Sequence, residues 1–270
     1  MSGAYKLKTK GLEVNIRVEG TGSGLLFLGG SNFDLSIRAP VFESALAQHF
    51  EIAAADPRGL GTTDAPDGDW TMQDYAQDAL RVLDALGWEH AYILGESFGA
   101  MTALHMAALA PERIIRMALA AGSAGGAGGS SYPVHKLRDI TDPKDRARVA
   151  LGIMDDRFMT LIDTHPAESE KRINARVAAE AVFLASSENE RNHPRLLAAR
   201  AAHDAWGLLP DISIPTLVFA GRYDQQAPVD CAENIVNAMP NAALHIVDGG
   251  HSLCFANPDP VATIIQHWSK

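Results

Sequence analysis

Residues 91–104 read Ala91-Tyr92-Ile93-Leu94-Gly95-Glu96-Ser97-Phe98-Gly99-Ala100-Met101-Thr102-Ala103-Leu104. An apolar run ends at Leu94, a G-x-S-x-G turn follows, and an Ala-rich helical pattern continues from Ala100. An unbroken apolar run suits a strand buried on both faces, as in a parallel sheet. Small residues on both sides of the turn let the helix pack against that strand. The turn then lifts Ser97 above the carboxyl end of the strand, beside the free N–H groups of a helix start. The five-residue pattern alone arises by chance in many chains. Between a buried strand and a helix it marks Ser97 as a candidate nucleophile.

The same alternation extends outward. Leu25-Leu26-Phe27-Leu28 runs into Gly29-Gly30, and Glu51-Ile52-Ala53-Ala54-Ala55 runs into Asp56-Pro57-Arg58-Gly59. Late in the chain, residues 215–220 end at Gly221 and residues 244–247 end at Gly249-Gly250. Residues 71–86 place Tyr75, Ala79, Val82 and Leu86 at helical spacing, with Gly87 as the stop. Strands alternating with helices predict an α/β fold with a mostly parallel central sheet flanked by helices. The pattern changes at the Gly/Ala/Ser-rich residues 122–131, which read as a loop. Strand-free helical patterns follow. One opens at Asp142-Pro143, one covers roughly 166–185 with Ile173, Val177, Ala181 and Leu184 in a stripe, and one covers about 194–206. Residues 123–208 are therefore expected to form a helical cap inserted into a core made of 1–122 and 209–270.

The 270 residues carry a net charge of -10 and are 47% hydrophobic. That balance speaks against nucleic acid, which needs a basic face. Arginines gather between Arg172 and Arg200, but Glu168, Glu170, Glu180, Glu188 and Glu190 accompany them, and the region reads as a solvated mixed-charge surface. No apolar stretch approaches the roughly 18 residues of a membrane span, and the first twenty residues lack a signal-peptide core. Cys231 and Cys254 have no metal-site spacing and read as a reduced pair. The expectation is a cytoplasmic protein, monomeric or homodimeric, acting on a small molecule without nucleic acid or membrane.

A serine hydroxyl needs a neighbouring base to become a nucleophile. Asp224, in Gly221-Arg222-Tyr223-Asp224, and His251, in Gly249-Gly250-His251, follow Ser97 in the order acid then histidine, each just past a strand end. These placements make Ser97, Asp224 and His251 a candidate catalytic triad, and the scheme needs no metal or organic cofactor.

On these residues the chain resembles the α/β-hydrolase superfamily over nearly its full length. Asp56-Pro57-Arg58-Gly59-Leu60-Gly61-Thr62-Thr63-Asp64-Ala65-Pro66 is similar to the family's turn after an early strand, with Thr63 where Ser is usual. Pro111-Glu112-Arg113-Ile114 also matches. The resemblance implies an oxyanion hole from two backbone amides, Phe98 and Ser31, with Gly29 standing where the family usually has His. Residues 30–38 are similar to the loop of 3-oxoadipate enol-lactonases and related esterases and lactonases, with Arg38 where an aromatic residue is typical. The implied reaction is hydrolysis of a carboxylic ester or lactone through an acyl-enzyme on Ser97. The same triad also serves C–C bond hydrolysis, perhydrolase or haloperoxidase-type chemistry and acyl transfer, and a hydrolase scaffold can become a ligand receptor. Met154, Phe158, Phe183 and Trp206 are candidates to line an apolar pocket or to pack the cap, and Arg38 to hold a substrate carboxylate or lie on the surface. His105 reads as packed in its helix, and Cys254 as a buried structural thiol. His165, His193 and His203 fall in the cap region without an assigned role.

Overall fold

The computed structural model describes residues 3–36 and 39–268. Eight strands form one sheet: β1 (Tyr5–Thr9), β2 (Leu12–Gly20), β3 (Ser23–Leu28), β4 (Phe50–Ala55), β5 (Ala91–Glu96), β6 (Ile114–Ala120), β7 (Thr216–Gly221) and β8 (Ala242–Val247). Their order is β1-β2-β4-β3-β5-β6-β7-β8. β1 and β2 pair antiparallel, as do β2 and β4, and every later pair is parallel. All carboxyl ends from β3 onward therefore face one edge, where connecting loops can meet.

Both faces of the parallel strands are buried. Leu26 and Ile93 point into one apolar layer with Ala103, Leu104 and Ile235. Their neighbours Leu25, Phe27 and Leu94 point into the other, with Phe50, Phe219, Ile264 and Trp268. The first layer is closed by α1 (Met72–Leu86), α2 (Phe98–Leu109) and α7 (Val229–Ala238), and the second by α9 (Pro258–Trp268), which follows the short α8 (Leu253–Ala256). Thr71 caps α1 in a reciprocal pair with Asp74, and Gly87 ends it at φ 72°, as the sequence predicts. α2 has no polar face because ten of its twelve residues are buried.

Between β6 and β7 the chain forms no strand among its described residues. It builds α3 (Pro143–Met154), α4 (Arg157–Thr164), α5 (Pro166–Leu184) and α6 (Ser187–Ala201). Asp142 caps α3 by accepting from the Asp145 N–H, with Pro143 at the first helical position. The helix expected to begin at Pro194 instead begins at Ser187, because Ser186 accepts from the Asn189 N–H and supplies the cap. Pro194 lies inside α6, where it cannot donate to the Glu190 carbonyl.

The arginine-rich stretch departs from the expected solvated surface. Arg172 is exposed and pairs with Glu168. Arg195 stacks on the Trp70 ring at 3.7 Å. Arg200 is buried with no acid partner among the described residues, donating to Ser131 Oγ (2.7 Å) and the Tyr132 carbonyl (3.0 Å). Burial lowers its pKa to about 10, so it stays charged at neutral pH and ties α6 to the loop after β6. Among the described residues no helix is long and apolar enough to cross a membrane.

Candidate active site

Ser97 follows β5 with φ 55° and ψ -112°, a backbone conformation unfavourable for a residue with a side chain. Its surroundings hold it there. The Ser97 N–H donates to the Ala120 carbonyl at 2.8 Å, and the Ala100 and Met101 N–H groups donate back to the Ser97 carbonyl. Glycine is required on both sides: a Cβ on Gly95 would lie 2.5 Å from the Gly99 carbonyl oxygen, and one on Gly99 1.8 Å from that of Leu28.

Asp224 follows β7 and His251 follows β8. Gly221 and Gly250 let these loops cross, since a Cβ on Gly221 would sit 2.5 Å from the Gly250 carbonyl oxygen. The three side chains meet in series. His251 Nε2 lies 2.9 Å from Ser97 Oγ, and His251 Nδ1 lies 2.8 Å from Asp224 Oδ2. The other Asp224 oxygen accepts from the Gln226 (2.7 Å) and Ala227 (2.9 Å) backbone N–H groups. With a carboxylate accepting at Nδ1, the imidazole proton sits there and Nε2 turns its lone pair to Ser97. All three residues are buried.

The strand-free segment supports this arrangement. The His251 N–H donates to the Met154 carbonyl (2.6 Å), Gln225 N–H to that of Ile153 (2.9 Å), and Tyr132 N–H to that of Gln226 (2.7 Å). Both triad loops are thus hydrogen-bonded to residues between β6 and β7.

Gly30 places its loop beside the serine, since a Cβ there would lie 3.8 Å from Ser97 Cβ. Among the described residues the N–H groups of Ser31 and Phe98 make no hydrogen bond. Gly29 has a steric reason to lack a side chain: a Cβ would lie 2.3 Å from the Phe33 ring, which packs edge-on against Phe27. Buried Asp34 anchors this loop, accepting from the Ser36 N–H (2.8 Å) and from Asn189 Nδ2 of α6 (2.7 Å). Asp56 accepts from the Leu35 N–H (2.6 Å), and burial raises its pKa. Thr63, in place of the usual serine, still uses its hydroxyl to accept from the Asn15 N–H (2.9 Å).

A cavity of ≈ 80 Å³ lies under the helices beside the triad, bounded in part by Ser31, Met154, Phe183 and Gln226. Of the residues that could line an apolar pocket or pack the cap, Met154 and Phe183 border this cavity, and Phe183 is also packed in a buried cluster. Phe158 packs instead with Ala147 and Ile173 inside the helical segment. Trp206 is not brought there either. It lies over Gly128, where a Cβ would be 2.2 Å from its ring, against the layer that holds α2. Arg38 lies outside the described residues. Cys254 is fully buried, and burial beside Glu96 raises its pKa well above the usual thiol range, so it remains a neutral thiol. His105 pairs with His203 (Nε2 to Nδ1, 3.1 Å) away from the cavity, and His203 Nε2 reaches the Ser123 carbonyl (2.9 Å).

Two neighbours of the candidate triad, Gln226 and Glu96, escaped the sequence reading, and a third residue, His193, reads there only as a cap-region histidine with a slim chance of touching substrate. Gln226 puts its side-chain amide nitrogen 2.6 Å from His251 Nε2, so that lone pair faces two donors. Glu96 is half-buried near His251, and desolvation raises its pKa to about 6. His193 packs edge-on against Phe183 in the cavity wall. Only Glu96, between Gly95 and Ser97, carried a positional signal.

A sheet ordered in this way, with its loops converging at one carboxyl edge, defines the α/β-hydrolase class of fold. The chain belongs to that family: the alpha/beta hydrolase fold model matches residues 27–258. A putative carbamate hydrolase RutD from Caulobacter vibrioides is 28% identical over 256 residues, covering 86% of this chain and 83% of the relative. A poly(3-hydroxyalkanoate) depolymerase from Ectopseudomonas oleovorans is 27% identical over 247 residues, covering 90% and 82%. The enol-lactonase from Burkholderia xenovorans shares the fold with a TM-score of 0.78 at 22% identity, covering 98% of this chain and 100% of that one.

Proposed function

We propose that the protein is a serine hydrolase that cleaves a carboxylic ester or lactone of a small organic acid, with Ser97, His251 and Asp224 as its triad. The observation that carries this reading is the pair of contacts on one imidazole, 2.9 Å to the Ser97 hydroxyl and 2.8 Å to the Asp224 carboxylate. The Ser97 oxygen attacks the acyl carbon as its proton passes to His251 Nε2. Asp224 holds the tautomer and faces the imidazolium. The oxyanion receives the N–H groups of Phe98 and Ser31, each donor being worth about a hundredfold or more in rate. The imidazolium protonates the departing alkoxide. Water then gives a proton to His251, attacks the acyl-enzyme and releases the acid. The segment 123–208 acts as a cap over this chemistry. Hydrolysis is also in the name of the putative carbamate hydrolase relative.

Turnover of short-chain esters and lactones by the native protein and by Ser97→Ala tests this, with folding followed by circular dichroism. The variant is expected to lose at least about a thousandfold in kcat/KM while folding normally, in line with the loss of a triad nucleophile. Activity retained in Ser97→Ala would contradict the assignment.

A further inference from the structure

We propose that the cavity beneath the helices is a carboxylate-binding subsite, built by Arg176 and Arg138, that selects an acyl substrate carrying a second, ionised carboxyl group. This rests on the ester- or lactone-hydrolase reading and names the substrate class. Three guanidinium groups line the cavity, Arg138, Arg146 and Arg176, against one carboxylate, Glu180. Glu180 is already taken, since Arg146 Nε lies 2.9 and 3.2 Å from its two oxygens. Arg146 is further held by the Ile140 carbonyl at 2.5 Å. Among the described residues Arg176 and Arg138 make no hydrogen bond and no ion pair within 4.0 Å.

Arg138 is exposed at the cavity edge, and it is Arg176 whose position is costly without a ligand. Arg176 is half-buried in the wall, and desolvation lowers its pKa despite the nearby Glu180 charge. A desolvated guanidinium lacking a hydrogen-bonded acceptor is unfavourable, and a planar carboxylate is the partner its fork geometry fits. The positive wall also runs against the charge of a chain whose net is -10. His193 adds no charge at neutral pH, because burial, Arg138 and Arg176 lower its pKa to about 4. Ser31 lines the same cavity as His193 and both arginines, so the cationic wall adjoins the loop beside Ser97. A cavity of ≈ 80 Å³ holds a short chain, so the carboxylate lies a few bonds from the scissile carbonyl.

The test compares monoethyl glutarate with ethyl valerate, its uncharged analogue, by pH-stat at low salt. The native enzyme is expected to favour the anionic ester at least tenfold in kcat/KM. Arg176→Gln should reduce that ratio tenfold or more, Arg176→Lys should restore part of it, and Arg138→Gln should reduce it independently. Arg172→Gln, exposed on the same helix, should leave the ratio unchanged. Equal rates for the two esters in the native enzyme would overturn the subsite while leaving the hydrolase reading intact. If neither ester is cleaved, calorimetry on Ser97→Ala with glutarate and its neutral diamide decides the subsite separately from the hydrolase reading. Binding of glutarate alone, lost on adding Arg176→Gln, supports the subsite, and no binding of glutarate overturns it.

Discussion

At Gly29 the space a side chain would fill already holds the Phe33 ring, so the histidine common in related loops has no room and the loop keeps only its backbone amides. Glycines flag every member of the proposed triad: Gly95 and Gly99 around Ser97, Gly221 before Asp224, and Gly249-Gly250 before His251. That is why those residues were legible in the sequence. Gln226 was not, because a polar residue two positions past an acid carries no pattern. Its amide lies 2.6 Å from His251 Nε2, and Gln226→Glu would place a negative charge there. An anion beside an imidazole favours its protonated form. The acid limb of the kcat/KM profile should therefore move up by about one pH unit. Glu96 supplies the converse case, since its carboxyl titrates near pH 6 close to His251. Removing that charge in Glu96→Gln should move the same limb down. Profiles that shift together, or not at all, would count against these electrostatic roles.

Among the elements, α6 does more than its sequence suggests. Asn189, one turn from its start, donates to Asp34 Oδ2 (2.7 Å) and the Phe183 carbonyl (2.9 Å) and accepts from the Gly61 N–H (2.7 Å). One side chain therefore joins α6 to the loop near Ser31 and to the turn after β4. Asn189→Ala should destabilise the protein by about 2–4 kcal/mol in denaturant melts, since it strands the buried Asp34 carboxylate and a part-buried N–H. A loss below about 0.5 kcal/mol, the usual range for surface changes, would contradict the anchoring role. Gly99→Ala should be worse, because the new Cβ meets the Leu28 carbonyl oxygen at 1.8 Å and must part α2 from β3. Elements were legible where one period dominates. β3, β4, β5, β7 and β8 are short apolar runs, and α1 is amphipathic and capped at both ends. β2 carries a clear alternation, with Leu12, Val14 and Ile16 buried, that a search for continuous apolar runs passes over. β6 was missed because Arg116 interrupts its run. The start of α6 depended on Ser186, while Pro194 pointed to a false boundary.

Across the whole molecule, the parallel sheet and its carboxyl edge follow from sequence, but the cavity does not, because three-dimensional packing of α3, α5 and α6 decides which charged residues turn inward. The same burial sets a pH response. Desolvation lowers the pKa of His105 and His193 to about 4 and also lowers that of His203. The unfolded chain takes up these protons near pH 6.5, before the native state does. Their contribution to stability is thus complete above pH 6.5 and lost as pH falls toward 4. Glu96 and Asp56 act in the opposite sense, their contributions present below the usual carboxyl range and lost as pH rises, for Glu96 through about 6, but these two carboxyls oppose four histidines, His245 being lowered as well. The urea midpoint should fall between pH 6.5 and 4.5, and a flat or rising midpoint would contradict the buried neutral histidines.

The proposed hydrolysis requires Ser97 to be the activated nucleophile. Reaction of the native protein with a fluorophosphonate, followed by peptide mass mapping, tests this most directly. The prediction is one adduct per chain, on the peptide holding Ser97, abolished in His251→Ala. No adduct, or one on another residue, would contradict it.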